Sequence, residues 1–362
     1  LTVRARRTVT AEQVVLRYDL DTGEAAILRE EHAKLQPVGA TAGHGLIAAF
    51  EDFHHPADLY AFDTECQQSR RLTTVEPRLE GIRIGVVDSF ETVVPRHDGT
   101  LQPTTTAVLM PAGNSRGDRL PAVMFLYPGG RVSGAAADFT GGAPATLPLA
   151  ALLTRGYAVL LAETPIGPEG QAENPLQELV DVTVPQVYHA AELGYVDLGR
   201  IALAGHSYGG YGTAAIISGT NIFRAAVAIS GLYDLAGGYG WNDFATMPSR
   251  FWYFETGQAR MGTHPWASLE RYLANSPYYQ ADRIHTPLLL IHGAEDSFCP
   301  VEDAGKLLNA LKRLNRTATL AVYKGEGHVP TEWSRSNAID ALKRTIEFLD
   351  THLKQPKVDA ER

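Results

Sequence analysis

Ile201-Ala202-Leu203-Ala204-Gly205-His206-Ser207-Tyr208-Gly209-Gly210 is the stretch that decides the fold of this chain. An apolar run of strand type ends in Gly-His-Ser-Tyr-Gly, and a small-residue helical pattern follows from Tyr211 to Ser218. A G-x-S-x-G match carries meaning in that context, with the serine on a sharp strand-to-helix turn and its hydroxyl exposed above a sheet. The flanking glycines let two backbones approach where a Cβ would clash, and they tolerate the dihedrals such a turn needs. The turn also aims the first N–H groups of the helix at the hydroxyl, where they can hold a developing oxyanion.

A serine hydroxyl needs a base, and the base needs an orienting partner. Pro287-Leu288-Leu289-Leu290-Ile291-His292-Gly293 has the continuous apolar character of a buried strand, and Asp296 falls in the loop after it. Ala318-Thr319-Leu320-Ala321-Val322-Tyr323 predicts a further strand, with Lys324-Gly325-Glu326-Gly327-His328 as the loop that follows. The chain order is therefore Ser207, Asp296, His328, the order of an α/β-hydrolase. Each motif alone has an ordinary explanation: a Gly-rich turn, an aspartate capping the next helix, a solvated surface imidazole. Their agreement in loop position and order favours a catalytic trio.

The oxyanion is expected to meet two donors. One is the N–H of Tyr208; the other is the N–H of Gly129, in the Pro128-Gly129-Gly130 loop after the strand Ala122 to Tyr127. The Tyr127 phenol is an alternative donor, and Tyr127 is also a candidate pocket residue.

Four segments together resemble the catalytic domain of the prolyl oligopeptidase family, in its acylaminoacyl-peptidase and dipeptidyl-peptidase branches. They are Gly-His-Ser-Tyr-Gly-Gly-Tyr around Ser207, Asn275-Ser276-Pro277, the His-Gly-x-x-Asp run ending at Asp296, and Tyr-x-Gly-Glu-Gly-His ending at His328. The resemblance runs from about Val87 to Lys354. It implies serine hydrolysis of peptide or acyl-amide bonds, with Ser207 as nucleophile, Asp296 as acid and His328 as base. One departure is local: Pro128-Gly129-Gly130-Arg131 stands where family members often carry His-Gly-Gly-Pro. The other is in extent, since family members carry a β-propeller before the hydrolase domain. Here residues 1–80 offer two hairpin patterns, one over Val14 to Leu28 and one over Asp58 to Thr73, about 40 residues apart, a period that suits propeller blades. The alternative is a small β-cap unrelated to a propeller.

The expected architecture is thus α/β, a doubly wound and mostly parallel sheet over 81–354, with a small N-terminal β segment over 1–80 and a polar tail over 355–362. Expected helices cover Leu147 to Arg155, Val184 to Leu193 with Pro185 at its start, Val301 to Leu314, and Ser334 to Lys354. The third buries Leu307, Leu308, Leu311 and Leu314, and the last buries Ile339, Leu342, Ile346, Leu349 and Leu353. The insert between Ser230 and Ser276 is dense in aromatics, among them Tyr233, Tyr239, Phe244, Trp252, Tyr253 and Phe254. Trp241 and Phe251 are its candidate pocket residues.

A net charge of −9 argues against nucleic acid as a partner, and no apolar stretch has transmembrane length. No signal peptide is visible, so a cytoplasmic location is expected, although Leu1 is not a methionine. Cys66 and Cys299 make no disulfide framework, no His/Cys spacing fits a zinc site, and no metal or cofactor is expected. The expected partner is a peptide or small acyl substrate, and a homo-oligomer is compatible with the sequence. Two other functions stay open: a carboxylesterase or biosynthetic acyl transferase, and an inactive scaffold of the same fold.

Overall fold

Alternation along the central strands sets the architecture. In the run Ala122-Val123-Met124-Phe125, Ala122 and Met124 pack on one face of the sheet, and Val123 and Phe125 on the other. A strand buried on both faces needs helices on both sides, and the chain supplies them. The computed structural model describes residues 2–6, 13–31, 33–43, 45–139, 148–168, 174–241 and 249–354. The polar tail 355–362 and Phe244 lie outside the described residues.

The N-terminal part forms two antiparallel sheets. Strands β1 (Thr2–Arg6), β2 (Gln13–Tyr18) and β3 (Ala25–Glu31) make the first, and β4 (Lys34–Ala40), β5 (Leu46–Glu51), β6 (Asp58–Phe62) and β7 (Ser69–Arg71) make a four-stranded meander. The expected hairpins are present as β2–β3 and β6–β7, but β4 and β5 add to the second sheet. The run Lys34–Ala40 carries Pro37 and Gly39 and buries only Leu35, so it lacks the apolar alternation that would reveal it.

The main sheet contains β8 (Gly85–Pro95), β9 (Leu101–Pro111), β10 (Leu120–Phe125), β11 (Ala158–Ala162), β12 (Val196–His206), β13 (Ala225–Ile229), β14 (Leu288–Gly293) and β15 (Ala318–Tyr323). Their order is β15-β14-β13-β12-β10-β11-β9-β8. Strands β10 to β15 run parallel, and β9 lies antiparallel to both β11 and β8.

The helices are α1 (Leu149–Leu153), α2 (Pro175–Glu192), α3 (Tyr208–Gly219), α4 (Leu235–Gly238), α5 (Phe251–Glu255), α6 (Leu269–Ala274), α7 (Val301–Arg313) and α8 (Arg335–Leu353). One face of the sheet packs under α2, α3 and α7, and the other under α1 and α8. No helix among the described residues is long and apolar enough to cross a membrane.

Three expectations need correction. Helix α2 starts at Pro175, with Asn174 accepting the Gln177 N–H at 3.1 Å, and Pro185 lies inside it. The missing N–H of Pro185 leaves the Asp181 carbonyl without its helical donor, which an exposed turn tolerates because water can supply one. Leu314 follows the end of α7 and is exposed; Leu307 and Leu311 form the buried stripe with Ala304. Ile339 is also exposed, and the seam of α8 is completed by Ala341 and Thr345.

Candidate active site

Ser207 is the hinge between β12 and α3, held at φ 58° and ψ −120°. A side-chain-bearing residue in that region costs about 1–3 kcal/mol and persists only when its surroundings impose it. Here they do. The Ser207 N–H donates to the Ile229 carbonyl of the neighbouring strand (2.8 Å). A Cβ on Gly205 would collide with the Gly209 carbonyl, and a Cβ on Gly209 would come within 2.6 Å of the Leu126 carbonyl. Both glycines are therefore required by the close approach of strand to helix.

The three residues named from the sequence meet in hydrogen-bonding contact. His328 Nε2 lies 2.8 Å from Ser207 Oγ, and His328 Nδ1 lies 2.8 Å from Asp296 Oδ2. A carboxylate only accepts, so the proton sits on Nδ1 and the Nε2 lone pair faces the serine hydroxyl. Asp296 follows β14 and His328 follows β15, which puts all three at the carboxyl ends of parallel strands of one sheet, with β13 between β12 and β14.

Asp296 is almost wholly enclosed by donors. Oδ1 accepts the N–H groups of Phe298 and Cys299 (2.8 Å each), Oδ2 accepts from His328, and His292 Nε2, which donates to the Cys299 carbonyl (2.8 Å), lies 3.2 Å from Oδ2. Burial alone would push its pKa up. The neighbouring His292 and His328 imidazoles and the Cys299 N–H outweigh that and hold the carboxyl well below the usual range.

Side chains packed around His328 fix the base. The His206 ring packs 4.8 Å from that of His328, and His206 Nε2–H donates to the His328 carbonyl (2.8 Å). Phe298 covers another side of the imidazole, with ring centroids 5.1 Å apart. Trp333 Nε1 donates to the Gly327 carbonyl (2.9 Å), and Glu326 accepts from Ser334 Oγ (2.6 Å) and Asn337 Nδ2 (2.6 Å) at the start of α8.

Burial pushes the His206 imidazole down to about 4. Its folded-state pKa lies below the unfolded value near 6.5, so the unfolded chain binds the extra proton and stability is lost as pH falls from about 6.5 to about 4. The share is about 3 kcal/mol. In pH-dependent urea unfolding, His206→Gln should lose less stability than wild type over that window. The neighbouring His292, His328 and Asp296 are unchanged in both proteins. Parallel curves would disprove this role.

The oxyanion expectation is corrected in one donor. The Gly129 N–H is spent on the Thr164 carbonyl (2.8 Å), and the Gly130 N–H on the Tyr127 carbonyl (2.8 Å). The loop needs both bonds to turn back across the strand ends, so neither N–H is directed at an acyl oxygen. Tyr208 is the first residue of α3, where backbone N–H groups have no partner within the helix. The Tyr127 ring stands 6.2 Å from that of Tyr208, and its hydroxyl accepts from Gln258 Nε2 (2.8 Å), which leaves the phenolic proton to be donated elsewhere.

The pocket candidates are placed less centrally. Phe251 stacks on Tyr239 (5.1 Å) and is 48% exposed, while Tyr233, Tyr239 and Phe254 belong to the core. Trp241 packs against the Arg250 guanidinium and lines a small cavity of about 190 Å³ with Pro300, Asp303 and Lys306. A larger cavity of about 410 Å³, lined by Phe53, His54, Asp88 and Ser133 among others, includes none of Ser207, Asp296 and His328.

The sequence did not reveal Arg260, Gln258, Phe298 or Trp333 as neighbours of the site. Only His292 had a local signal, its position four residues before Asp296 inside the same motif.

A serine on the turn after the fifth strand of an eight-stranded sheet, with the second strand reversed, defines an α/β-hydrolase. The sequence profile described as the Prolyl oligopeptidase family matches residues 151–356, more than half of the chain, and the chain belongs to that family. It is 30% identical over 285 residues to "Probable glutamyl endopeptidase, chloroplastic" of Arabidopsis thaliana, covering 74% of this chain and 27% of that protein. It is 28% identical over 195 residues to the acylamino-acid-releasing enzyme of the same plant, covering 50% of this chain and 24% of that protein. Among solved structures, the AtxE2 isopeptidase superposes with TM-score 0.78 at 20% identity, over 99% of this chain and 54% of that one. A Mycobacterium tuberculosis puromycin-hydrolyzing peptidase superposes with TM-score 0.69 at 21% identity, over 98% of this chain and 54% of that one. The structural likenesses speak to fold. The chain spans about a quarter of the length of the curated relatives it matches.

Proposed function

We propose that this chain is a serine peptidase that cleaves peptide or acyl-amide bonds through an acyl-enzyme on Ser207. The observation that carries this is the hydrogen-bonded relay from Ser207 Oγ through His328 to Asp296, 2.8 Å at each step. His328 Nε2 takes the hydroxyl proton as Ser207 Oγ attacks the carbonyl carbon. It returns that proton to the leaving amine when the tetrahedral intermediate collapses. Water then attacks the acyl-enzyme by the same route and frees Ser207. Asp296 stabilises the imidazolium and holds its tautomer. Family membership and the peptidase names of the relatives support a peptide or acyl amide as substrate.

An organophosphonate probe followed by peptide mapping tests this. A single adduct on Ser207, with peptide anilides turned over faster than aryl esters relative to their intrinsic reactivities, is the expected result. An adduct elsewhere, or none, would falsify it.

The oxyanion is assigned to the Tyr208 N–H and the Tyr127 phenol. Tyr127→Phe should lower kcat by about 100-fold, with KM little changed, because the donor acts on charge that develops only in the transition state. Steady-state kinetics on one anilide decides it: an unchanged kcat removes Tyr127 from the site.

Residues 1–80 are assigned to terminal propeller-type blades preceding a hydrolase domain over 81–354. The antiparallel meander β4-β5-β6-β7 supports that division.

A further inference from the structure

A cation beside the site takes no part in the scheme above. Arg250 precedes α5 and is 3% exposed. Its Nε and Nη1 are buried and have no hydrogen-bond partner among the described residues, and it makes no ion pair there. Its guanidinium lies over the ring of Trp241 (5.3 Å) and that of Tyr253 (5.5 Å). A ring face attracts a cation but offers its N–H groups no lone pair in the guanidinium plane, so the fork of donors stays open. An enclosed charge in this condition is strongly unfavourable unless an anion arrives to meet it.

Its location ties it to the reacting groups. Trp241, over which Arg250 lies, lines a small cavity together with Pro300, the residue after Cys299. Cys299 gives its N–H to Asp296, and Tyr208 follows Ser207. A second enclosed cation, Arg260, borders the same ground. Its Nη2 lies 2.7 Å from where a Cβ on Gly129 would stand, and its Nη1 reaches the Tyr208 hydroxyl (3.3 Å). Arg260 is satisfied by neutral acceptors, the carbonyls of Gly167 (2.7 Å) and Gln258 (2.6 Å). The Gly167 peptide in turn gives its N–H to Glu178 (2.7 Å). This flank of the site thus carries two positive charges, neither paired to a carboxylate among the described residues.

We propose that Arg250 receives a carboxylate of the substrate, either an acidic side chain beside the scissile bond or a free α-carboxylate. Guanidinium and carboxylate match as two parallel hydrogen bonds, and the surrounding rings exclude competing water. A neutral isostere would leave the fork unsatisfied, so discrimination should be large. This rests on Ser207 being the nucleophile.

The test uses two matched substrate pairs: peptide anilides ending in Glu against Gln, and peptides ending in a free acid against the amide. In wild type, one pair should show the acid favoured by about 100-fold in kcat/KM, and which pair does so identifies the source of the carboxylate. In Arg250→Met that ratio should fall to near 1, and Arg250→Lys should keep part of it. A wild-type ratio near 1 in both pairs overturns the proposal, as does an equal loss on acid and neutral substrates in Arg250→Met. Labelling of Ser207 by an uncharged phosphonate on the same preparations separates the two claims. Wild type that fails to label sinks the serine-hydrolase assignment, whereas wild type that labels without preferring acids sinks only the role of Arg250. If Arg250→Met does not fold, competition in wild type decides: glutarate should inhibit about 100-fold more strongly than glutaramide, and equal inhibition overturns the proposal.

Discussion

Ser207→Ala is expected to lower kcat on a peptide anilide by about 10⁴- to 10⁶-fold while the protein keeps its fold. The size follows from the way the three groups act as a unit. Without Oγ no acyl-enzyme forms, and His328 and Asp296 have nothing to activate. What survives is whatever rate the oxyanion donors and substrate binding give to direct attack by water. The fold should persist because the Ser207 N–H keeps its bond to Ile229, and the close-packed glycines impose the same backbone on alanine. Among the described residues, the only side-chain bond lost is the one to His328. Anilide hydrolysis, phosphonate labelling and a melting curve check the three parts. A variant that still turned over substrate near the wild-type rate would remove Ser207 from the mechanism.

Asp296→Asn is the second large effect, about 10⁴-fold in kcat. Each hydrogen-bond partner of this carboxylate among the described residues is a donor: two backbone N–H groups on Oδ1 and the His328 imidazole on Oδ2. Asparagine has a single oxygen. If that oxygen serves the backbone, the amide NH₂ faces His328 Nδ1 and demands an acceptor there, which moves the imidazole proton to Nε2 and removes the base. If the amide flips, its N–H groups oppose those of Phe298 and Cys299 and the loop is destabilised. The depressed carboxyl also sets the pH dependence. Its contribution to stability is complete above the unfolded value near 4 and is lost as pH falls below it toward the lower folded value. The stability gap between wild type and Asp296→Asn should therefore be widest at neutral pH and close in acid. Kinetics at neutral pH with unfolding at several pH values checks both halves, and a gap that widened in acid would contradict the sign.

Much of the sheet was legible because fully buried parallel strands are continuous apolar runs. Leu288–Ile291 and Ala225–Ile229 could not be much else, and the loops after them inherit their place at the carboxyl ends. That is why Ser207, Asp296 and His328 could be named as a group from motifs scattered along the chain. The long hairpin of β8 and β9 was not legible, since Glu91, Thr92, Thr104 and Thr105 interrupt its apolar pattern at the sheet edge. Pro185 misplaced the start of α2 because the usual meaning of a proline gives way when an exposed carbonyl can be solvated. Gly129 failed as an oxyanion donor for a different reason: its partner, Thr164, lies on another strand's exit, and no local pattern records where an N–H is already engaged. Arg250 and Arg260 are of the same kind, meaningful only through what surrounds them in space.

The imidazole of His328 is held from behind by the first turn of α8, through Glu326 to Ser334 and Asn337 and through Trp333 to Gly327. That helix runs along the opposite side of the sheet and locks down through Leu349 and Leu353. The alignment of one proton acceptor is thereby hostage to a rod whose far end never sees substrate. Loosening that rod should leave a molecule that still presents its serine but has lost the partner that makes it reactive.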